Sequence, residues 1–288
     1  MISDTKVVAI GGGTGLSTML KGLKLHTHNI TAVVTVADDG GSSGILRSDL
    51  GMLAPGDVRN CVSALAEVDP VMGELLNFRF KDGSLKGHSL GNLFLAALNE
   101  TSSSFDEAVK KFSHLTGVVG TVYPVTNESV TLSALLEDGR LIEGESHIGV
   151  HHDGPKNGIV KLMVNPEKPK AVDGVIKALE KADIIVLGPG SLYTSIIPNL
   201  LVDGVVDAIK KSNAVKIYVC NIMSQAGETE NYTVSDHLAA IERHSYEGIA
   251  DIVIANNAII PESLRIKYAS EHAREVMIDS QKSKTCAR

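Results

Sequence analysis

Short apolar runs alternate with glycine-rich turns along this chain, and most of the turns are followed by apolar residues at helical spacing. Residues 7–10 form the first run. Gly11, Gly12, Gly13, Thr14 and Gly15 follow, then Leu16, Met19, Leu20 and Leu23 at intervals of three and four. That stripe is the buried face of a helix. Strand, glycine turn and helix make the first unit of a nucleotide-binding α/β sheet.

The same pattern recurs. Residues 30–36 read as a second strand. Asp57 reads as an N-cap, with Val58, Val62, Leu65 and Ala66 as the apolar face behind it. Residues 87–93 open a further helix through Phe94, Leu95 and Leu98, and 105–115 is an amphipathic helix. After Gly117 the character changes. Residues 121–126, 129–136, 141–148 and 159–164 read as strands, with a hairpin signal at Asp138-Gly139. Alternation returns with a helix over 172–182, strands over 184–187, 215–219 and 252–255, and a helix over 234–243. The expected fold is one three-layer, Rossmann-like α/β domain over 1–288. It has a mostly parallel sheet, helices on both faces, a β-rich insert over 117–165 and a flexible tail over 280–288.

Composition narrows the function. The chain has 288 residues, 43% hydrophobic and 21% charged, enough to bury a sizeable core. Its net charge of −7 argues against a nucleic-acid surface, which calls for a basic face. Aromatics are 4% with no Trp, so base-stacking platforms are not expected. No charged and then apolar leader opens the chain, and no apolar run approaches the roughly 20 residues of a membrane span. Cys61, Cys220 and Cys286 are odd in number and far apart, which gives neither a disulfide framework nor metal spacing. The first two are expected as core thiols, and the protein is expected in a reducing cytoplasm.

The candidate chemistry sits in the turns. Glycine lets phosphate oxygens approach peptide N–H groups, and the following helix directs its positive end at the anion. The third glycine comes one place earlier than in the dinucleotide fingerprint, and Leu16-Ser17 is not the Lys-Ser/Thr pair of a P-loop. The second strand ends in Asp38, Asp39, Gly40, Gly41, Ser42, Ser43 and Gly44. Asp38 follows Gly13 at close to the interval of about 20 residues that places an acid on a ribose hydroxyl. Asp38 and Asp39 could equally hold Mg²⁺, the usual escort of phosphate. Arg59 and Asn60 lie in the first turn of a predicted helix, where a cation opposes the dipole unless an anion joins it. His88, Ser89 and Asn92 stand at a third loop-to-helix junction, where His88 could donate to phosphate or act as acid or base. Gly188, Gly190, Ser191, Tyr193 and Thr194 repeat the opening layout, and Asn221 and Gln225 follow the next strand. His151-His152-Asp153 is a poor metal motif, since adjacent histidines in a polar loop need a distant third ligand. In a parallel sheet these loops share one edge, and a crevice there suits a polyhydroxylated, phosphorylated ligand.

The series GGGTGL at 11–16, TVADDGGSSG at 35–44, PGDVRN at 55–60, GHSLGNL at 87–93, LGPGSLYTSIIPNL at 187–200 and CNIMSQAGET at 220–229 resembles the gluconeogenesis factor family (YvcK-like proteins). That family shares a superfamily with the CofD 2-phospho-lactate transferases. The resemblance covers about residues 6–265. It implies a cytoplasmic bacterial protein that binds UDP-sugars such as UDP-N-acetylglucosamine and is linked to cell shape and wall synthesis on gluconeogenic carbon. No catalytic activity is established for that branch. The transferase branch makes a deazaflavin coenzyme with Mg²⁺, and its acidic motif corresponds in place to Asp38 and Asp39.

The first function expected is therefore a non-catalytic nucleotide-sugar sensor, with a protein partner and a homodimeric state. The alternative is a Mg²⁺-dependent transferase of a phosphoryl-linked group to a deazaflavin-like acceptor. A nicotinamide oxidoreductase is disfavoured by the displaced glycine and by the absence of an evident hydride-transfer acid. A tubulin-like GTPase carries its GGGTG loop well inside the chain, not after the first strand.

Overall fold

The computed structural model describes residues 3–149 and 158–279. The strands are β1 (Val7–Gly11), β2 (Ile30–Val34), β3 (Thr121–Pro124), β4 (Thr131–Leu136), β5 (Leu141–Glu143), β6 (Ile159–Asn165), β7 (Ile184–Leu187), β8 (Val215–Val219) and β9 (Ile252–Ile254). The first helices are α1 (Gly13–Leu23), α2 (Gly41–Leu50), α3 (Gly56–Leu65), α4 (Pro70–Asn77), α5 (Leu90–Glu100) and α6 (Phe105–Leu115). After them come α7 (Glu145–Ile148), α8 (Asp173–Lys181), α9 (Ile197–Leu200), α10 (Val205–Lys211), α11 (Val234–Arg243) and α12 (Glu262–Ser270). A π-helical turn, Leu192–Ile196, leads into α9.

The main sheet runs β3-β2-β1-β7-β8-β9, and every neighbouring pair is parallel. All five residues of β1 are buried, the continuous apolar run of a strand covered on both faces. The chain winds outward from β1 to β3 and then returns to lay β7 on the other side of β1. This reversal opens a crevice beyond the carboxyl ends of β1 and β7, where ligands bind in open α/β sheets. The expected three-layer, Rossmann-like architecture is the one observed.

The details depart from expectation in three places. Residues 121–124 join the main sheet beside β2 and not the insert. Without β3 the edge of β2 would be open, and Pro124 is tolerated because β3 is itself an edge strand. The antiparallel β5-β4-β6 sheet therefore starts at Thr131 rather than at 117. Second, the Gly-Ser loop after β2 is the first turn of α2, since Leu46 gives it a buried anchor. Third, Asp57 is not a cap. Helix α3 starts at Gly56 with Pro55 at its N-cap, and Asp57 lies in its first turn. Cys61 and Cys220 are buried free thiols, as expected. Among the described residues no helix is long and apolar enough to cross a membrane. The tail at 280–288, Cys286 and the His151-His152-Asp153 motif lie outside the described residues.

Candidate functional site

A hollow of about 400 Å³ opens at the switch point between β1 and β7. The β1 turn contributes Gly12, Gly13, Thr14 and Gly15. Asp38 comes from the loop after β2, Asp57 from α3, and Glu145 from α7 of the insert. The loop after β7 supplies Gly190, Ser191, Thr194 and Ser195, and the loop after β8 supplies Gln225. Segments far apart in sequence thus meet at one sheet edge.

Close approach explains the glycines. Gly13 takes φ +67°, a left-handed backbone that side chains rarely adopt. A Cβ on Gly15 would stand 2.8 Å from Pro189 O, so this glycine lets α1 pack on the β7 loop. A Cβ on Gly12 would stand 2.6 Å from Asp57 Oδ2. Asp57 accepts the Gly13 N–H and so fills the positive end of α1 with a carboxylate.

The charge of the hollow is acidic. Burial and the neighbouring Asp38 push Asp57 up to about 6. Burial, then Asp38, raise Glu145 to about 7, although a hydrogen bond with Thr194 works against the rise. Glu228, fully enclosed behind the rim, is raised by burial to about 7. It accepts from Tyr193 N at 3.1 Å and from Gln225 Nε2 at 2.6 Å, while Ser191 Oγ donates to Gln225 Oε1 at 2.6 Å. This chain fixes the donors on the β7 side. Asn199, fully buried, ties the turn together by donating from Nδ2 to Gly11 O at 3.1 Å and to Ser195 O at 2.7 Å.

Several expected ligand residues stand elsewhere. Both carboxylate oxygens of Asp39 accept backbone N–H groups of the insert, from Glu145 at 2.9 Å and Ser146 at 2.8 Å. Asp39 therefore caps α7 and does not reach into the hollow beside Asp38. Tyr193 is fully buried, with its hydroxyl on Ile159 O at 3.1 Å and Tyr232 at 2.9 Å. Asn221 braces Gly190 through two hydrogen bonds of 3.2 and 2.8 Å. Gly11 ends β1, and Gly188 opens the next turn at φ +77°. Gly40 caps α2 and donates to Asp38 Oδ1 at 2.9 Å, while Gly41 begins the helix. Ser43 Oγ accepts Gly56 N at 3.2 Å. Ser42, Arg59, His88 and Asn92 form a separate buried group, and Asn60 lies on α3 outside the hollow. Ser195, beside the expected donor Thr194, lines the hollow, and Glu228 backs it beside the expected Gln225, as their places after β7 and β8 suggest, whereas Asp57 and Glu145 are site residues that the sequence does not reveal. Of these two only Asp57, inside the Pro-Gly-Asp turn, carried a local signal, and that signal reads equally as a cap.

Hard carboxylate oxygens suit Mg²⁺. Among the described residues no three His, Cys, Asp or Glu groups close tightly enough to hold a metal ion by themselves. A cation here would share Asp38 and Asp57 with phosphate oxygens, the usual way Mg²⁺ is held. Its charge would favour the ionised carboxylates that burial disfavours.

The family described as 2-phospho-L-lactate transferase CofD matches residues 7–287. The gluconeogenesis factor of Bacillus subtilis is 45% identical over 282 residues, covering 97% of this chain and 87% of that protein. A longer relative from Clostridium acetobutylicum is 51% identical over 279 residues, and the chain spans 62% of its length. The crystal structure of protein BH3568 from Bacillus halodurans matches at a TM-score of 0.94 and 46% identity, covering 97% of this chain and 89% of that one. The sequence motifs, the switch-point hollow and these matches agree: the chain belongs to the gluconeogenesis factor family, within the CofD superfamily.

Proposed function

We propose that this protein is a cytoplasmic nucleotide-sugar-binding regulator, with UDP-N-acetylglucosamine as the model ligand. The diphosphate lies over Thr14 and Gly15 and meets the hydroxyls of Ser191, Thr194 and Ser195. Asp38 and Asp57 would hold a Mg²⁺ ion, which would supply positive charge to the diphosphate. The observation that carries this reading is the meeting of glycine-turn N–H groups, hydroxyls and paired carboxylates in one hollow at the switch point. An acidic hollow repels a bare diphosphate, so the cation belongs to the recognition. The link to gluconeogenic growth, cell shape and wall synthesis comes from the family resemblance.

One observation favours the transferase alternative. Glu145 and Asp57, raised to about 7 and about 6, exchange protons near neutrality as a general acid or base does. A thermal-shift panel of UDP-N-acetylglucosamine, UDP-glucose, GTP, NAD and a deazaflavin, with and without Mg²⁺, separates the two. The regulator reading expects a UDP-sugar to raise the melting temperature and to be recovered unchanged, and Gly13→Val to abolish the rise. Stabilisation by deazaflavin alone, or turnover of the UDP-sugar, supports the transferase.

A further inference from the structure

Ser42 and Ser43 are neighbours on α2 but face different partners. Ser43 meets the start of α3. Ser42 Oγ lies 2.9 Å from His88 Nδ1 and accepts Asn92 Nδ2 at 3.1 Å. Asn92 in turn accepts Arg59 Nε at 3.3 Å, and Arg59 Nη1 donates to Asn77 Oδ1 at 2.8 Å. Ser42, Arg59, His88 and Asn92 are each at most 8% exposed. None of them lines the hollow at the switch point.

The guanidinium of Arg59 is the unusual member. Both of its acceptors are neutral amides, and among the described residues it forms no ion pair and its Nη2 has no acceptor. Its stem runs against the first turn of α5, where a Cβ on Gly91 would stand 2.9 Å from Arg59 Cδ. Arg59 itself lies in the first turn of α3, so the cation sits near two positive helix ends. The first turns of α2 and α5 hold no acid. Asp57, in the same first turn of α3, offsets part of this charge from beyond ion-pair distance, while its carboxylate accepts the Gly13 N–H. Arg79 adds a second positive charge nearby. A buried cation so placed is costly until an anion joins it.

The hydrogen-bond count leaves donors spare. If Ser42 donates to His88 Nδ1, the imidazole keeps Nε2–H free. If His88 Nδ1–H donates to Ser42, the serine hydroxyl is free. With Arg59 Nη2 this makes a guanidinium and a hydroxyl or imidazole donor available together. A guanidinium beside a hydroxyl or imidazole donor suits the several oxygens of a phosphate, which accept charge-assisted hydrogen bonds from more than one side chain.

We propose that Arg59, Ser42 and His88, positioned by Asn92, form a second anion site that takes a phosphate group, either inorganic phosphate or a phosphate monoester. The site works without a divalent cation and without a nucleotide in the neighbouring hollow. The protein thus separates a cation-dependent acidic pocket from a cation-independent basic one.

The test uses the full chain in EDTA, titrated separately with inorganic phosphate and with glycerol 3-phosphate. The readout is the ring ¹⁵N signals of His88, assigned with His88→Gln. Saturable movement of those signals is expected with at least one of the two probes, and the probe that acts identifies the source. Arg59→Gln and Ser42→Ala should each weaken binding about tenfold or more. Ser42→Ala leaves the buried charge in place, so it decides the matter if Arg59→Gln does not fold. A His88 ring indifferent to both probes, or undiminished affinity in folded Ser42→Ala, would overturn the proposal.

Discussion

The carboxylate of Asp57 lies against the backbone of Gly12, so that a Cβ on Gly12 would stand 2.6 Å from Asp57 Oδ2 and 2.7 Å from Thr35 Cγ2. The position admits glycine because an acid from α3 has been brought onto the β1 turn. Gly12→Ala must push Asp57 aside or shift the turn. The expected cost is about 1–3 kcal/mol of stability, together with loss of the melting-temperature rise caused by UDP-N-acetylglucosamine and Mg²⁺. Urea unfolding and thermal shift on the same preparation check both. A Gly12→Ala protein that responds to the ligand like wild type contradicts this placement of Asp57.

Glu145 offers a test by pH. A carboxyl whose folded pKa lies above its unfolded value adds stability below the unfolded value and loses it as pH rises through the folded one. For Glu145 that window runs from 4.5 to about 7. Between pH 4.5 and 8, in cation-free buffer, Glu145→Gln should therefore gain on wild type by about 1–2 kcal/mol, allowing for solvent screening of a partly exposed group. Urea unfolding at the two pH values gives the difference directly. A pH-independent difference, or a gain for wild type, contradicts the account.

Asp39 and Asp57 separate capping from ligand chemistry. Asp39 holds the N–H groups of Glu145 and Ser146, so Asp39→Ala should loosen α7 and reach the ligand only through Glu145. Mn²⁺ affinity in the presence of UDP-N-acetylglucosamine, read by relaxation enhancement, should fall a few-fold in Asp39→Ala. In Asp57→Asn it should fall by more than about tenfold, an ionic hydrogen-bonding group being lost. Equal losses would place both acids on the metal.

What could be read from sequence follows how local each signal is. The unit from Val7 to Leu23 is legible because strand, turn and helix each carry a short-range pattern, and the parallel sheet follows from repetition of that unit. Glu145 is illegible. It reaches the hollow because Asp39 holds α7 across more than a hundred residues of chain, a contact that no periodicity encodes. Tyr193 misleads in the opposite way. A hydroxyl three residues beyond a glycine reads as a ligand donor, but the π-helical turn carries it into the core. The Arg59 group shows a third case. Its residues are visible as polar positions at helix starts, but their separation from the acidic hollow depends on where Ser42 and Ser43 point.

Asn199 tests the frame that carries the turn. Its amide serves two buried carbonyls, Gly11 O and Ser195 O. Asn199→Ala should cost about 2–4 kcal/mol in urea unfolding, from the lost bonds and the space left behind. A change below about 0.5 kcal/mol, the scale of an ordinary surface substitution, would show that the turn holds itself.

The central claim is that Asp38 and Asp57 hold a divalent cation that supplies positive charge to the diphosphate of a nucleotide sugar. Isothermal titration of UDP-N-acetylglucosamine into wild type and Asp38→Asn/Asp57→Asn, each in Mg²⁺ and in EDTA, addresses it most directly. The account predicts binding by wild type in Mg²⁺, weakened at least about tenfold in EDTA, and no response to Mg²⁺ in the double variant. Equal affinity under all four conditions would contradict it.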